Sequence, residues 1–413
     1  MADEPVTGTE ERLTARRLYT TPDYRLWWLG NVASSVGSRT SAVAVPIVVL
    51  ALTRSARQAS LVAAVEAVPF LLLSLPVGVL VDRFSRKALM TGASLVSMLA
   101  VAAIPAAYTG HALTVGLIYA AAAVNGTAAV VFETAQAASL PAVVDAERLG
   151  AASGQAEMIW GISAVLGPPL AGLLLEVSIA APFILDAASF LVVAVVILAI
   201  RARLGPRRPL PPVVWRQDLT AGVRELLSRP KLRSITGLTL LGDLLFAGIS
   251  LLMIVLVQRG GGSAATVGLV FSGAAVGGIV GSAVANRLER RLGLVTLVVA
   301  KHWLTALAFP LLALGLPAVA VAAVWAFVNL LVSVLNVVQM RYLLAVVPPE
   351  TLGRVQGVTN FLSFGSLPLG LAATGFVLDA LGGPDTVLVV SAVLVLIALY
   401  CSASRAIRAK EEM

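Results

Sequence analysis

One cysteine, Cys401, and two histidines, His111 and His302, stand in a chain of 413 residues. So few ligands cannot build a disulfide framework or a clustered Cys/His metal site, and no metal is implied. Charge is scarce as well, at 13% of residues where a soluble domain carries about 25%. A GK[ST] after a glycine-rich loop, an HExxH pair and a GxSxG nucleophile turn are all missing, and so is a soluble signalling stretch. An enzyme or a sensor therefore has little to stand on, and no cofactor is called for.

What fills the sequence is apolar: 58% of residues are hydrophobic and the mean hydropathy is +0.92. Crossing about 30 Å of hydrocarbon takes about 20 apolar residues in a helix. Such stretches are predicted at 24–51, 57–81, 88–108, 112–136, 149–175 and 181–200, then at 232–257, 264–286, 294–315, 317–340, 351–377 and 385–403. The polar run from Met1 to Thr21 lacks the early apolar core of a cleaved signal peptide, so the first span is expected to act as its own insertion signal.

The formal charge of +8 raises the possibility of a nucleic-acid partner, and the placement of the cations argues against it. With a cytoplasmic amino terminus, the inner segments collect nearly all of them, from Arg12, Arg25, Arg83, Arg86 and Lys87 to Arg341, Arg354, Arg405 and Arg408. The outer segments hold only Arg54, Arg57 and Arg259. That asymmetry is the positive-inside pattern, and it puts both termini in the cytoplasm. The lipid bilayer is the expected large partner, nucleic acid is not, and a monomer suffices.

The expected organisation is a first six-span bundle over 1–200, a linker over 201–231 and a second bundle over 232–413. Within the linker a basic, proline-rich stretch precedes Leu219, Val223, Leu226 and Leu227 at helical spacing. This reads either as an interfacial helix with its leucine face in the membrane surface or as a solvated charged loop.

An internal repeat supports two equal halves. At an offset of 203, Gln136 falls on Gln339, Ala142-Val143-Val144 on Ala345-Val346-Val347, Gly154 on Gly357 and Gly172 on Gly375. One residue more sets Asp82-Arg83 on Asn286-Arg287 and Arg86-Lys87 on Arg290-Arg291. A parallel repeat of six spans suits transporters that rock two bundles about a midplane site.

The stretch from Gly78 through Asp82-Arg83 to Arg86-Lys87 resembles the loop between the second and third helices of the major facilitator superfamily. Asn286-Arg287 with Arg290-Arg291 is similar to its weaker second copy. Tyr24-Arg25-Leu26-Trp27-Trp28, the run at 140–144 and Phe183 through Asp186 to Phe190 resemble the superfamily's bacterial drug- and siderophore-exporter branch. The resemblance implies an all-α membrane protein of the major facilitator fold, with twelve transmembrane helices in two six-helix bundles. It also implies a gating role for Gly78, Asp82, Arg83, Arg86, Asn286 and Arg287 on the cytoplasmic side. From the residues themselves, Gly78 permits a close helix approach, and Asp82 suits a helix amino terminus or an arginine. The cations also read as ordinary membrane anchors.

Span five holds Gly161, Gly167, Pro168, Pro169 and Gly172. Two consecutive prolines remove two donors, so a bend or break is expected there. The segment resembles the antiporter signature of exporters, with Ala171 where that pattern commonly has glycine; a packing kink is the plainer reading. Glu66, Glu133, Glu157 and Asp243 fall inside spans, as do Arg39 and Lys301, each at a cost of at least about 2.5–3.5 kcal/mol near the bilayer centre. Glu66 and Asp243 lead as proton carriers, Glu133 and Glu157 follow, and Arg39 is placed to neutralise Glu66; a static ion pair is the competing reading. Span four carries Asn125-Gly126 and no arginine, unlike the proton-coupling motif of many drug antiporters. Asn31, Ser35, Asn125, Trp160, Phe246, Asn336, Gln339 and Asn360 are the candidates for substrate contact, the polar ones among them each also able to serve as a helix-to-helix hydrogen bond. The glycines of span eight, Gly268, Gly273, Gly277, Gly278 and Gly281, are assigned to close packing.

The function that follows is export of small, largely apolar molecules, with protons as the coupling ion, from a bacterial inner membrane. Import of a small organic nutrient on the same scaffold is the alternative.

Overall fold

The computed structural model describes residues 22–144, 148–202, 204 and 215–408. Arg12, Arg203 and the proline-rich part of the linker lie outside them. Every described element is helical: α1 Pro22–Thr53, α2 Ala56–Arg83, α3 Arg86–Thr109, α4 Val115–Val143, α5 Leu149–Val177, α6 Ala181–Ala199, α7 Trp215–Ser228, α8 Pro230–Ala247, α9 Ile249–Arg259, α10 Ala264–Ala308, α11 Ala318–Val346, α12 Pro349–Leu381, α13 Gly383–Ala403 and α14 Arg405–Arg408, with a 3-10 turn over Phe309–Leu314.

Eleven stretches are long and apolar enough to cross a membrane among the described residues. One of them, Ala264–Leu314, has 51 residues, or about 75 Å at 1.5 Å per residue, more than twice the hydrocarbon thickness. It turns at Gly293, whose φ of 74° is open to glycine and strained for other residues. Read as two spans joined at Gly293, it completes the twelve of the expected fold.

Polar caps define several helix starts. Ser85, Thr114 and Ser263 accept from the backbone N–H of Ala88, Leu117 and Thr266, relieving the orphan donors of α3, α4 and α10. Asp23 in the first turn of α1 accepts from the backbone N–H of Arg201 and Ala202 at 2.9 and 2.8 Å, tying the chain after α6 back to α1. The two prolines of α5 do not break it: the helix is continuous from Leu149 to Val177. Membrane helices tolerate such losses because neighbouring groups take over the freed carbonyls. Span seven, expected to be continuous, is interrupted at Gly248, where the side chain of Thr374 occupies the space a Cβ would need.

Contacts divide the chain into two compact units, Met1–Ala44 with Val68–Leu210, and Val45–Ala67 with Pro211–Met413. In the first unit Val77, Val81, Met90, Val130, Val193 and Ile197 form one core cluster, and Tyr24, Trp27, Val143, Ala152 and Ile200 another. In the second, α10 and α11 run side by side on a ladder of small residues. A Cβ on Gly273 would touch Ala322, and on Gly277 and Gly281 it would strike the backbone of Ala326 and Leu330, so each turn of one helix matches a turn of the other.

Helix α7 shows where the linker's leucines go. Leu226 and Val223 join Leu232, Val347, Val355 and Val358 in a protein core, and a Cβ on Gly222 would strike the Arg354 carbonyl on α12. Only Leu227 is exposed of the described leucines of this face. The apolar stripe thus binds protein, because the start of α12 offers it an apolar surface of its own.

Candidate transport site

The second unit contains a cavity of about 190 Å³ lined by α8, α10 and α11. Its apolar wall is aromatic: Phe246 stacks on Trp325 at 6.2 Å and meets Phe309 edge-on at the same distance. Asn329, Asn336 and Gln339 present amides from one face of α11, and Thr239 and Asp243 come from α8. Lys301 and His302 enter from α10. Asp243 accepts a 2.7 Å hydrogen bond from the Ser363 hydroxyl and faces the Lys301 ammonium electrostatically. His302 is 3% exposed, and its Nδ1 lies 2.7 Å from the Val298 carbonyl. A carbonyl only accepts, so Nδ1 carries the proton and Nε2 is left as an acceptor.

In the first unit, Arg39 of α1 sits with its guanidinium 4.5 Å over the Trp160 ring of α5, and Glu133 of α4 is its charged partner. Glu133 itself is exposed, as is Glu157 on α5, while Glu66 of α2 is half-buried within the second unit. Within its own unit the carboxylate facing Arg39 is Glu133. Gly167 makes this arrangement possible: a Cβ there would lie 2.5 Å from the Arg39 Cβ. Its repeat mate Gly370 performs the same service on α12, against the backbone of Leu244 on α8.

The repeat also governs two of the predicted substrate contacts. Gln136 of α4 donates to Asn31 of α1 at 3.1 Å, and Gln339 of α11 accepts from Thr239 of α8 at 3.1 Å. Each bond clasps the fourth span of its half to the first through the repeat-related glutamine, with a partner at a different position on the first span. Asn125 and Ser35 are half-buried and Asn360 is exposed.

The loop residues divide by their contacts. Arg86 is 4% exposed and donates to the Ala138 carbonyl at 2.8 Å, while Lys87 donates to the carbonyls of Leu198 and Ile200 at the end of α6. A cation at a helix carboxyl end is favoured by the dipole. Asp82 and Arg83 are exposed, and among the described residues nothing beyond its own helix lies within 4 Å of a Cβ built on Gly78. In the second copy Arg287 is exposed, and Arg341 donates to Asn286 and Glu289 at 2.9 and 2.8 Å. Arg341 stands at the repeat position of Ala138, so the cation sits on opposite sides of the corresponding contact in the two halves.

The sequence profile of the Major Facilitator Superfamily matches residues 27–370. The chain belongs to this superfamily. It is 26% identical over 364 residues to the multidrug efflux pump Tap of Mycobacterium tuberculosis (strain ATCC 25618 / H37Rv), covering 85% of this chain and 86% of the pump. It is 28% identical over 371 residues to the enterobactin exporter EntS of Citrobacter koseri, covering 87% and 86%. Among solved structures, the nucleoside transporter NupG aligns with a TM-score of 0.71 at 12% identity over 97% of this chain and 100% of that one. A bacterial homologue of the iron transporter ferroportin in an inward-facing state aligns at 0.70 and 14% over 94% and 99%. At such identities the structures speak for the fold alone. A Major Facilitator Superfamily chain of this kind is a multi-pass membrane transport protein. Sequence reading named Asp243, Phe246, Asn336 and Gln339 of the cavity in the second unit. It assigned no role to His302, Trp325 and Ser363, and only the unusual Lys301-His302 pair inside an apolar span pointed their way.

Proposed function

We propose that the protein is a secondary active exporter of small, largely apolar molecules, drug-, antibiotic- or siderophore-like, working by alternating access with proton antiport. The cavity lined by α8, α10 and α11 carries this reading. An aromatic wall of Phe246 and Trp325 with a few amides suits cargo of mixed apolar and polar surface better than a sugar, which needs a hydrogen-bonding partner for every hydroxyl. The efflux relatives, matched over most of the chain, favour export, and the likeness to a nucleoside transporter, at 12% identity, adds nothing for import.

Proton coupling is supported by Asp243 beside Lys301 and by Glu133 beside Arg39. Span four lacks an arginine of its own, and the Arg39 guanidinium from α1 supplies a cation next to a span-four carboxylate. Glu66 and Glu157 complete the proposed set. Asp82, Arg83, Asn286 and Arg287 keep their proposed gating role at the cytoplasmic face, with both termini on that side of a bacterial inner membrane and a monomer as the working unit.

Expression in an efflux-deficient bacterium tests the direction. Cells carrying the protein should accumulate less of a lipophilic dye or antibiotic than cells carrying an Asp243→Asn, Glu133→Gln form made at equal level. Growth on a supplied nutrient that depends on the protein, with dye accumulation unchanged, would establish import instead.

A further inference from the structure

The amino end of α2 is capped from a distance. Asp379, near the end of α12, accepts the backbone N–H of Ala56 at 2.9 Å with one carboxylate oxygen and the Ser55 hydroxyl at 3.1 Å with the other. Helix starts are normally capped by their own neighbours in sequence. Here Ser55 already serves locally, accepting from Gln58 N–H at 3.3 Å, and a second acceptor arrives from a residue 323 positions away. A cap of this kind satisfies an otherwise orphan donor only while α2 and α12 are held together.

The seam beneath the cap is smooth. Gly375 leaves room for Ser60, whose side chain fills the place of a Cβ, and Ala63, Ala64 and Ala67 pack with Ala247 on Leu371. The Arg57 guanidinium lies 5.4 Å over the Phe376 ring. Small side chains let the two helices approach closely along this seam. An open cavity of about 410 Å³ beside Asp379, lined also by Arg54 and Arg259, gives water a path to the carboxylate and to the donor it would release. This seam holds Val45–Ala67 in the second unit while the remainder of α1 and α2 belongs to the first.

We propose that Asp379 is a gating residue: its carboxylate clamps the amino end of α2 to α12 and favours the transport state closed at that face. Arg54, Arg57 and Arg259 mark the face as the outer one. The inference rests on the transport cycle of the superfamily and is independent of cargo, direction and coupling ion. Opening this face requires the Ala56 N–H and the Ser55 hydroxyl to exchange Asp379 for water.

The test uses purified full-length protein in detergent, so the sidedness of the membrane does not enter. Ala64, 6% exposed in the seam, is replaced by cysteine, and its rate of maleimide modification reports opening; native Cys401 is buried and supplies the blank. Adding Asp379→Ala should raise that rate about fivefold, the change in a two-state ratio that an ordinary cap supports. Asp379→Asn, which keeps an acceptor oxygen without the charge, should fall between. In vesicles, bridging Arg57→Cys to Phe376→Cys with a short bifunctional thiol reagent should stop transport, and cleaving the bridge should restore it. An unchanged modification rate in either Asp379 variant, with normal gel-filtration behaviour, overturns the proposal, as does full transport by the bridged protein.

Discussion

Asp243 and Lys301 illustrate how the membrane disciplines single residues. Each alone would cost several kcal/mol in hydrocarbon, and together they are tolerable because each supplies the other's counter-charge while Ser363 satisfies a carboxylate oxygen. Removing one partner therefore differs from removing both. Asp243→Asn strands the Lys301 ammonium and should lower the stability of the purified protein by about 1–3 kcal/mol. Lys301→Met added to it should return most of that loss. Gradient-driven transport should stay absent in both, since the proposed proton carrier is gone. Thermal unfolding in detergent with a vesicle flux assay reads both effects, and equal stability of single and double variants would mean the two charges do not interact. The same reasoning separates Arg39 and Arg86: Arg86 ends on a backbone carbonyl and stabilises the bundle, whereas Arg39 faces an acid and an aromatic ring.

At the level of helices, the glycines sort by what lies opposite them. Gly167 sits where α5 crosses α1, with the Cβ and backbone of Arg39 in the space a methyl group would occupy, whereas Gly161 on the same helix has nothing within 4 Å. Gly167→Ala should force the two helices apart at a cost of about 1–3 kcal/mol and disturb the Arg39–Glu133 pair with it. Gly161→Ala should be neutral or slightly stabilising. Unfolding temperature and transport rate distinguish them, and equal effects would overturn the crossing as a constraint. Sequence reading found these glycines and the ladder of α10 because small residues at four-residue spacing are a local pattern. It could not tell Gly167 from Gly161, since that depends on the residue across the crossing. The apolar spans were legible for the same local reason. The interruption at Gly248 was hidden: the residues around it are as apolar as an unbroken span, and the need for glycine there comes from Thr374 on a distant helix, which occupies the space of a Cβ. Likewise the leucines of α7 announced an apolar face without saying whether lipid or α12 would cover it.

For the molecule as a whole, the repeat shows that each half has kept its helix clasps and changed its charges. Gln136 and Gln339, and Gly167 and Gly370, do the same work in the two units. Arg39 and Asp243 occupy corresponding positions with opposite sign, and the partner of Arg39, Glu133, corresponds to the neutral Asn336. Each unit thus balances a carboxylate with a cation of its own, Glu133 with Arg39 and Asp243 with Lys301. Under the proposed proton coupling, a proton taken up by either acid leaves the neighbouring cation uncompensated in a medium that penalises net charge. In inverted vesicles an acid interior should then drive accumulation of a lipophilic substrate, and an uncoupler should abolish it within the assay. Glu133→Gln with Asp243→Asn should permit at most downhill movement that is indifferent to the imposed gradient. Accumulation that persists without any ion gradient would remove proton antiport from the mechanism and leave the charge pairs as structural.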